Sequence, residues 1–596
     1  MLFDTTSEQE FFRATTAKFL STRVPAETLR RLRGDDHGFE DEYWRRGAEL
    51  GWTSLLVGAD SGGGTISGRP IADLTLVAYE FGRHAAPGPL VPANIVAAAL
   101  SDTGTHPEVL AGLLAGAVVA TWCHTEPAPH HDLARPALAI RADGTDLVLD
   151  GVKQPVESAA ASRYLLVTGR YGDGLAQVLV PADAPGVSIA PLRSADLTRR
   201  FSTVTFAGVR VPRTALVGEP GTADRQIDRQ LGIALAVQCA ETVGAMQTGF
   251  DMTLDWLADR YSFGRPLASY QALKHRVADL KSWLEAAHAI ADSAAAALDE
   301  AGPESGTVLG VAQAFIGRYG PELLQDCVQL HGGIGLTFEH DLHLFLRRAT
   351  VDRTLYGSPA EHCRRIADRL VEQELAREPG PAMAARRPTA GASSAAEPAV
   401  RTGPSAGPTG VSGAGGPTGV VEDVASFRRR ARAWIRDNLG PYRAEAVSGL
   451  RNVAREDELA AVAYDRRLQR TLYDAGFAGI AVPVEYGGRG LTVEHQRAFT
   501  AELAGYEYPS RTQVPTLSPC AAVLLDFGTE EQKRRHIPAI LRGEEIWMQF
   551  LSEPSGGSDV AGAVTTAVRD GDDWILNGAK IWTTGAWYSD WALCLA

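Results

Sequence analysis

Two short segments near the end of the chain hold the residue types that bind an anion or a polar ring edge. Residues 551–562 contain three serines and three glycines around a Glu-Pro pair. Glycines let the backbone approach a ligand closely, and successive amides and hydroxyls can bind an anion. Residues 577–584 end in Trp582-Thr583-Thr584 after a strand-like run, which would place an indole and two hydroxyls beside a planar cofactor. The alternative is a polar turn followed by an edge strand.

Composition and charge exclude several classes of protein. A chain of 596 residues is too long for one hydrophobic core, so several domains are expected. A net charge of −14 without a basic run argues against nucleic-acid binding. The N-terminus lacks the pattern of a signal peptide, and no apolar run approaches the ~20 residues that span a bilayer. Six scattered cysteines predict reduced, buried thiols, and we expect a soluble, cytoplasmic protein.

The hydrophobic periodicity changes along the chain and indicates the domain boundaries. Residues 1–117 have helical spacing, and residues 118–220 carry short β-branched runs between Asp-Gly and Pro turns. Residues 225–376 are helical again and are typical of a bundle. Residues 378–420 are rich in Pro, Gly, Ala and Ser, which predicts a flexible linker.

The pattern of the first part begins again after this linker. Glu126 and Lys153 match Glu553 and Lys580, and both pairs of positions differ by 427. A steady offset with the same order of elements indicates the duplication of a whole subunit. The second copy is predicted in two parts: a helical domain, residues 421–545, and a partial β domain, residues 546–596.

The end of the second copy raises a further expectation. Residues 591–596 form an apolar strand that would have no neighbour in its sheet. This interpretation takes the sequence as a fragment of a longer protein.

The paired segments and the domain order resemble the acyl-CoA dehydrogenase family. The resemblance implies an α+β multidomain fold over residues 1–376, followed by a partial second copy at residues 421–596. The fold of that family has an N-terminal helical domain, a middle antiparallel β domain and a C-terminal four-helix bundle. FAD lies between the β domain and the bundle in this family, and its adenosine end reaches a neighbouring subunit. FAD is therefore the implied cofactor.

In the second copy, the resemblance assigns the contacts to the flavin ring. Leu551 and Ser552 would contact the edge of the isoalloxazine. Gly557 and Ser558 would lie near the pyrophosphate, or Ser558 near the thioester arm of the CoA substrate. The residues that would cover the ring are Trp582, Thr583 and Thr584.

In the first copy, the resemblance assigns contacts to the adenosine end of FAD. Arg260-x-x-Phe263-Gly264 and Gln271 resemble the motif that holds the diphosphate and adenine of a partner's FAD. Gln329, Gly332 and Gly333 resemble the loop at the same end of the cofactor. Arg260 supplies charge for a diphosphate, and glycines after a helix let amides approach it. The alternative for Arg260 is a surface salt bridge.

The first copy lacks the residues that would contact the flavin ring. Ala128-Pro129-His130-His131 replace the serines and glycines of residues 555–558, and Pro155-Val156-Glu157 replace Trp582-Thr583-Thr584. A proline removes an amide, and two imidazoles add bulk. We expect no flavin ring in this copy, and no metal either, because His130 and His131 have no further ligand at suitable spacing.

The catalytic base is the least defined part of the site. Relatives often carry it in a Tyr-Glu-Gly-Thr-like segment, and Tyr356 stands in place of that carboxylate here. Some relatives place the base on an earlier bundle helix, where Glu241 is a lone acid. The alternatives are a structural polar contact for Glu241 and a base beyond residue 596.

The resemblance implies α,β-dehydrogenation of an acyl-CoA thioester, with electrons passed to an electron-transfer flavoprotein. The complementary losses indicate one flavin site for each pair of copies and a dimer of fused chains. Fused members of this kind resemble actinobacterial dehydrogenases for steroid-side-chain CoA esters. Two alternatives are a flavin-dependent oxidase or monooxygenase on the same fold, and a non-catalytic flavin-binding scaffold.

Overall fold

The computed structural model divides the chain into two compact units, residues 1–387 (unit 1) and residues 388–596 (unit 2). The linker predicted at residues 378–420 lies outside the described residues, as do His130 and His131. The structure describes residues 5–128, 132–221, 223–302, 304–376, 422–442 and 455–596.

Unit 1 begins with six helices, of which the fourth and fifth are buried on almost every side. A capping box starts the first helix, because the Thr6 hydroxyl accepts from the Gln9 amide while the Gln9 side chain accepts from the Thr6 amide. All residues from Leu74 to Gly82 and from Leu90 to Leu100 are buried. The helices are α1 (Ser7–Arg23), α2 (Ala26–Leu32), α3 (Asp41–Glu49), α4 (Pro70–Arg83), α5 (Leu90–Thr103) and α6 (Pro107–Leu114).

Seven strands form the middle domain of unit 1. Their order is β1-β4-β2-β3-β7-β6, with β5 paired to β4. Most pairs are antiparallel, but β1 runs parallel to β4, with Ala120 opposite Tyr164. The hairpin β2–β3 lies between β1 and β4 in the chain. Because β1 and β4 are parallel, the sheet is mixed and not antiparallel as predicted. The strands are β1 (Ala120–Cys123), β2 (Ala139–Asp143), β3 (Asp146–Glu157), β4 (Tyr164–Tyr171), β5 (Gly174–Pro181), β6 (Val187–Leu192) and β7 (Phe201–Pro212).

A helical bundle completes unit 1, and its first helix lies against α4 at backbone contact distance. A Cβ atom on Gly82 would lie 1.8 Å from the carbonyl oxygen of Glu241, and one on Gly244 would lie 2.0 Å from that of Tyr79. Glycine is required at both positions because the two backbones touch there. The elements are α7 (Asp224–Asp259), the hairpin β8 (Tyr261–Ser262) and β9 (Arg265–Pro266), α8 (Gln271–Asp299), α9 (Ser305–His331), α10 (Leu342–Asp352) and α11 (Pro359–Ala376).

Unit 2 repeats the helical layer of unit 1. Gly62 and Gly487 take the same left-handed turn, with φ of 87° and 84°, and their positions differ by 425. Glu80 pairs with Arg13 of α1, and Glu502 pairs with Arg428 of the first helix of unit 2. The helices are α12 (Val424–Asn438), α13 (Arg455–Asp474), α14 (Val493–Glu502), α15 (Ser510–Pro515), α16 (Ala522–Phe527) and α17 (Glu530–Leu541).

The strands of unit 2 repeat the first strands of unit 1 in the same register. The first and last strands pair in parallel with Trp547 opposite Trp591, and the middle two pair antiparallel with Thr566 opposite Asn577. In unit 1 the corresponding pairs are Ala120–Tyr164 and Ala139–Asp150, each 427 positions earlier. The strands are β10 (Trp547–Phe550), β11 (Thr566–Asp570), β12 (Asp573–Asn577) and β13 (Trp591–Cys594).

The structure confirms the predicted fold class and, besides the mixed sheet, corrects three details. The strand at residues 591–596 was expected to be unpaired, but β13 pairs with β10. Trp582 was placed at the end of a strand, whereas β12 stops at Asn577. Four cysteines are buried as expected, but Cys363 is exposed and Cys594 is half-buried. Among the described residues, no helix is both long and apolar enough to cross a bilayer.

Candidate functional site

A buried Glu–Lys pair ties together two segments of the β domain in unit 1. The Lys153 amine donates to Glu126 Oε1 at 2.7 Å and to the His124 carbonyl at 2.9 Å. The Glu126 carboxylate also accepts from the amides of Ala137 and Leu138, at 2.7 and 2.9 Å. Every oxygen and the ammonium therefore have partners, which a buried ion pair needs.

Unit 2 contains the same clamp, 427 positions later. The Lys580 amine donates to Glu553 Oε1 at 2.7 Å and to the Leu551 carbonyl at 3.2 Å. Glu553 accepts from the amides of Val564 and Thr565, at 2.6 and 2.9 Å. These contacts hold the pKa of Glu553 well below its ordinary value, above all through Lys580. The clamp thus fixes residues 551–553 against the segment that leads to Trp582.

Around the clamp of unit 2, the predicted ring-binding residues face an open surface. The Ile581 amide donates to the Ser552 carbonyl at 3.0 Å, which aligns the two segments. Trp582 has a left-handed φ of 60° and leaves 54% of its surface exposed. The remaining predicted residues divide by exposure: Gly557, Ser558 and Thr584 are exposed, and Leu551, Ser552 and Thr583 are half-buried.

In unit 1 the corresponding region is filled by aromatic side chains. Trp122 stacks on His124 at 4.5 Å between ring centroids and on Tyr356 at 6.1 Å. The space left between these rings, Pro155 and Glu157 is about 10 Å³, enough for one water molecule at most.

A buried cluster of two arginines and four carboxylates lies next to this aromatic stack. Arg348 donates to Asp196 at 2.5 Å, to Thr198 at 2.5 Å and to Glu241. Arg199 donates to Glu157 at 2.5 Å and to Asp352 at 2.6 Å. The cluster joins β3, α7, α10 and the segment before β7, so it connects the β domain with the bundle.

Glu241, the predicted alternative base, belongs to this cluster. Its Oε1 accepts from Arg348, and its Oε2 lies 3.7 Å from Arg199 Nη1. Both oxygens face guanidinium groups, an arrangement that favours the structural polar contact over proton abstraction.

Burial shifts several pKa values in and around the cluster. It raises the pKa of Asp352 to about 8, against the opposing effect of Arg199. It also raises the pKa of Glu157 and that of the Tyr356 phenol. At neutral pH the Tyr356 phenol is therefore even more fully protonated than an ordinary tyrosine, and the protonated phenol cannot take up a further proton.

The residues predicted for the adenosine end of FAD lie together at one end of the bundle. Arg260 ends α7, and its guanidinium carbon lies 5.7 Å from the centre of the Trp256 ring. Phe263 and Gly264 form the left-handed turn of the β8–β9 hairpin, and Phe263 is 61% exposed. Gln271 is the exposed first residue of α8.

The glycine loop closes the same end of the bundle. Gln329 is exposed in the last turn of α9, and Gly332 and Gly333 follow it, with a left-handed φ of 67° at Gly332. A Cβ atom on Gly332 would meet nothing within 4 Å. The His331 ring stacks on Trp256 at 5.4 Å, which connects this loop to α7. The indole Nε1 of Trp256 is buried without a hydrogen-bond partner among the described residues.

Sequence reasoning missed the clamp and the ion cluster. The Glu and Lys of both clamps were visible as repeat markers, and their equal separation of 27 positions could have indicated a pair. Nothing local in the sequence joins Arg199 to Asp352, because the two lie on different domains. Among the described residues, no three side chains are placed to hold a metal ion.

Three family models match the chain, and all describe one family. The acyl-CoA dehydrogenase N-terminal domain matches residues 6–109 and again residues 422–544. The C-terminal domain matches residues 225–371, and the middle domain matches residues 549–596. The chain belongs to the acyl-CoA dehydrogenase family, a family of oxidoreductases.

Individual members of that family are also similar to this chain. Acyl-CoA dehydrogenase FadE34 of Mycobacterium tuberculosis is 28% identical over 593 residues, which cover 95% of this chain and 67% of FadE34. Acyl-CoA dehydrogenase IpdE1 of the same organism is 40% identical over 176 residues, covering 30% of this chain and 45% of IpdE1. The solved structure of a steroid acyl-CoA dehydrogenase variant, Tcur3481-Tcur3483, superposes with a TM-score of 0.57 at 25% identity, over 62% of this chain and 99% of that chain.

Proposed function

We propose that the protein catalyses FAD-dependent α,β-dehydrogenation of an acyl-CoA thioester, with the flavin-ring contacts in unit 2. The observation that carries this proposal is the contrast between the two clamps. The clamp of unit 2 holds residues 551–553 beside the exposed indole of Trp582, while the matching position in unit 1 is Pro155.

The residues of unit 2 fit a flavin ring in their chemistry. Trp582 offers an exposed aromatic face, and Thr583 and Thr584 offer hydroxyls beside it. A Cβ atom on Gly557 would find only the Ser552 hydroxyl, at 3.7 Å, so the backbone there is open to a ligand. Ser558 adds an exposed hydroxyl for the pyrophosphate or for the thioester arm of the substrate.

The residues of unit 1 fit the adenosine diphosphate part of FAD. Arg260 brings a positive charge to the end of α7, and Gln271 and Gln329 bring exposed amides. Gly332 leaves room for a phosphate to approach the backbone, and Gly333 beside it is exposed. The unpartnered Trp256 indole N–H is a further donor at this end.

Bound FAD would supply the two-electron acceptor of the reaction. The chain orients the site: Lys580 holds residues 551–553, and the Ile581 amide fixes Ser552. Glu241 can act as the base only if both arginines release it. Flavin bleaching by an acyl-CoA that disappears in Glu241→Gln would identify it as the base.

We further propose a bulky steroid-side-chain CoA ester as the substrate and an electron-transfer flavoprotein as the acceptor. The likeness to the solved steroid dehydrogenase variant supports the substrate class. An oxidase would instead release one peroxide for each acyl-CoA consumed, so a peroxide assay with and without an artificial acceptor separates the two reactions.

The decisive experiment measures the FAD content of the purified protein. Trp582→Ala should remove most of the bound flavin, because the indole covers the ring. Trp574→Ala is the matched control, since Trp574 is also exposed and lies on β12 of the same domain. Equal flavin loss in both variants, or none in Trp582→Ala, would contradict the proposal.

A further inference from the structure

A row of four side chains lies at the end of unit 1 that is proposed for the adenosine part of FAD. The Arg260 guanidinium carbon is 5.7 Å from the centre of the Trp256 ring. Trp256 stacks on His331 at 5.4 Å between ring centroids, with 19° between the ring planes. His331 in turn meets His340 edge to face at 4.7 Å. We call these four residues the Arg–Trp–His row.

The glycine loop turns back over the His331 end of this row. A Cβ atom on Gly335 would lie 2.7 Å from the Val328 carbonyl oxygen and 2.9 Å from the Cβ atom of His331. Position 335 therefore requires glycine, because the loop passes that close to the last turns of α9. His331 is 4% exposed, and its Nδ1 donates to the Cys327 carbonyl at 2.7 Å. The ring is thus held in one place directly under the glycine loop.

The His331 ring is uncharged at neutral pH. Burial lowers its pKa, and the neighbouring His340 ring acts in the same direction, against the Cys327 carbonyl. Because a carbonyl oxygen can only accept, Nδ1 of His331 carries the ring proton. The contact with Trp256 is therefore a stack of two neutral rings, which aligns them without placing a further charge beside Arg260.

The opposite end of the row is anchored to the N-terminal helices of unit 1. Arg30 of α2 donates to the Glu339 carbonyl at 3.1 Å and to the Asp341 carboxylate. These two contacts lie on either side of His340, whose Nδ1 accepts from the Leu342 amide at 3.2 Å. The row therefore runs from an anchored segment behind the glycine loop to the guanidinium at the end of α7.

We propose that His331 is a positioning residue for the adenosine end of FAD. It fixes the glycine loop above it and, through Trp256, the Arg260 guanidinium. A diphosphate that contacts both the loop and the guanidinium binds more tightly when the two are already held in one arrangement. The inference rests on the proposed function, because it concerns the same end of the site.

Titration of the full chain with FAD tests the part played by the ring. His331→Leu removes the stack and should weaken FAD binding about two- to tenfold, the range that one aromatic pair provides. His331→Gln can still donate to the Cys327 carbonyl but has no ring, so it should bind as weakly as His331→Leu. His331→Phe keeps a ring and should retain most of the affinity. Equal losses in the Phe, Leu and Gln variants would overturn the proposal.

A double-mutant cycle tests whether the two rings act together. Trp256→Leu breaks the same stack as His331→Leu, so the double variant should bind FAD no more weakly than Trp256→Leu alone. Losses that add would show that the two residues act independently, and this result would also overturn the proposal.

Trp283→Leu is the matched control for a general loosening of the bundle. The Trp283 ring also has a guanidinium and an aromatic ring beside it, from Arg276 at 5.1 Å and Tyr319 at 4.9 Å. It lies about 18 Å further along α8 than Gln271, and its loss should leave FAD binding unchanged. Equal weakening in Trp283→Leu and His331→Leu would contradict a specific role for His331.

Arg260→Ala, measured under the same conditions, separates this inference from the proposed function. A loss of tenfold or more in Arg260→Ala with no change in His331→Leu would overturn the positioning role and leave the FAD site in place. No change in either variant would mean that this end of unit 1 does not bind FAD, and both proposals would then fail.

Discussion

The two clamps of this chain are nearly identical, yet their surroundings differ. In unit 1, Lys153 is fully buried, and an aromatic stack and six charged side chains lie beyond it. In unit 2, the Lys580 side chain is 7% exposed, and the neighbouring β11 and β12 are exposed along their whole length. The same backbone frame therefore carries different side chains in the two copies, with Pro155 in unit 1 at the position of Trp582 in unit 2.

This difference indicates how a duplicated domain can change its role. The register of the strands and the clamp persist, so the frame of the β domain is kept. The side chains above the frame differ, because Pro155 and Glu157 of unit 1 stand where unit 2 has Trp582 and Thr584. In unit 1, buried charges occupy the interior beside the sheet, and such charges need complete partners to be tolerated.

The test with the largest expected effect removes Arg348, the central arginine of the buried cluster. Arg348→Met should lower the free energy of unfolding of unit 1 by about 3–5 kcal/mol, because Asp196 and Glu241 would lose a buried cation. Hydrogen exchange of the β3 amides measures this loss. Arg347→Met is the control, since Arg347 is partly exposed, and it should cost under about 1 kcal/mol. Equal costs would show that the cluster adds nothing specific to unit 1.

A second test compares the two clamps directly. Glu126→Gln should destabilise the β domain of unit 1 by about 3 kcal/mol, because Lys153 would stay buried without a counter-charge. Glu553→Gln should have a smaller effect on β11 and β12, where water reaches the strands. Exchange rates of amides in each domain report the two effects separately. A larger loss of stability in unit 2 than in unit 1 would contradict this expectation.

A third test concerns the end of the bundle in unit 1. Arg260→Ala should weaken FAD binding ten- to hundredfold, which corresponds to about 1.5–3 kcal/mol for one charge-assisted contact. FAD retention during dialysis measures this change. Arg318→Ala is the control, because Arg318 is 63% exposed on α9 of the same bundle. Unchanged FAD retention in Arg260→Ala would show that this end of unit 1 does not contact the cofactor.

The smallest effect is a pH dependence that belongs to unit 1. Burial raises the pKa of Asp352 to about 8, so the folded chain keeps a proton that the unfolded chain loses above pH ~4. Stability should therefore fall between about pH 5 and 7, by at most ~1.4 kcal/mol per pH unit. Burial lowers the pKa of His124 to about 3 and that of His288 to about 4. These two histidines therefore make the stability rise with pH, which is the opposite of the Asp352 effect.

The difference between the wild type and Asp352→Asn isolates the carboxyl, because the histidines contribute equally to both. Urea unfolding of each protein at several pH values measures the slope. If the stability of both proteins changes equally with pH, the pKa of Asp352 is not raised in the folded chain. In unit 2, burial raises the pKa of Asp465 only to about 6. The fall in stability that this carboxyl causes should therefore end at a lower pH than the fall caused by Asp352.

The sequence predicted much of the fold and the outline of the candidate site. Periodicity and turn residues located the helical and β segments, and the 427-residue offset located the repeat, because both signals are local or regular. The pairing of β13 with β10 was not predicted, since strand neighbours depend on the path of the chain. Glu241 could be identified as unusual, but its two arginines come from distant positions and only the folded chain brings them together.

Burial also determines how the clamp lysines react with electrophiles. A thioester or another acylating reagent modifies a lysine only through its free amine. Burial lowers the pKa of Lys153 and so favours the reactive form, but the fully covered side chain keeps reagents away. Lys580 lies nearer the surface. Acylation of these two lysines should therefore follow the opening of their sheets, which makes each one a built-in chemical reporter of its own domain.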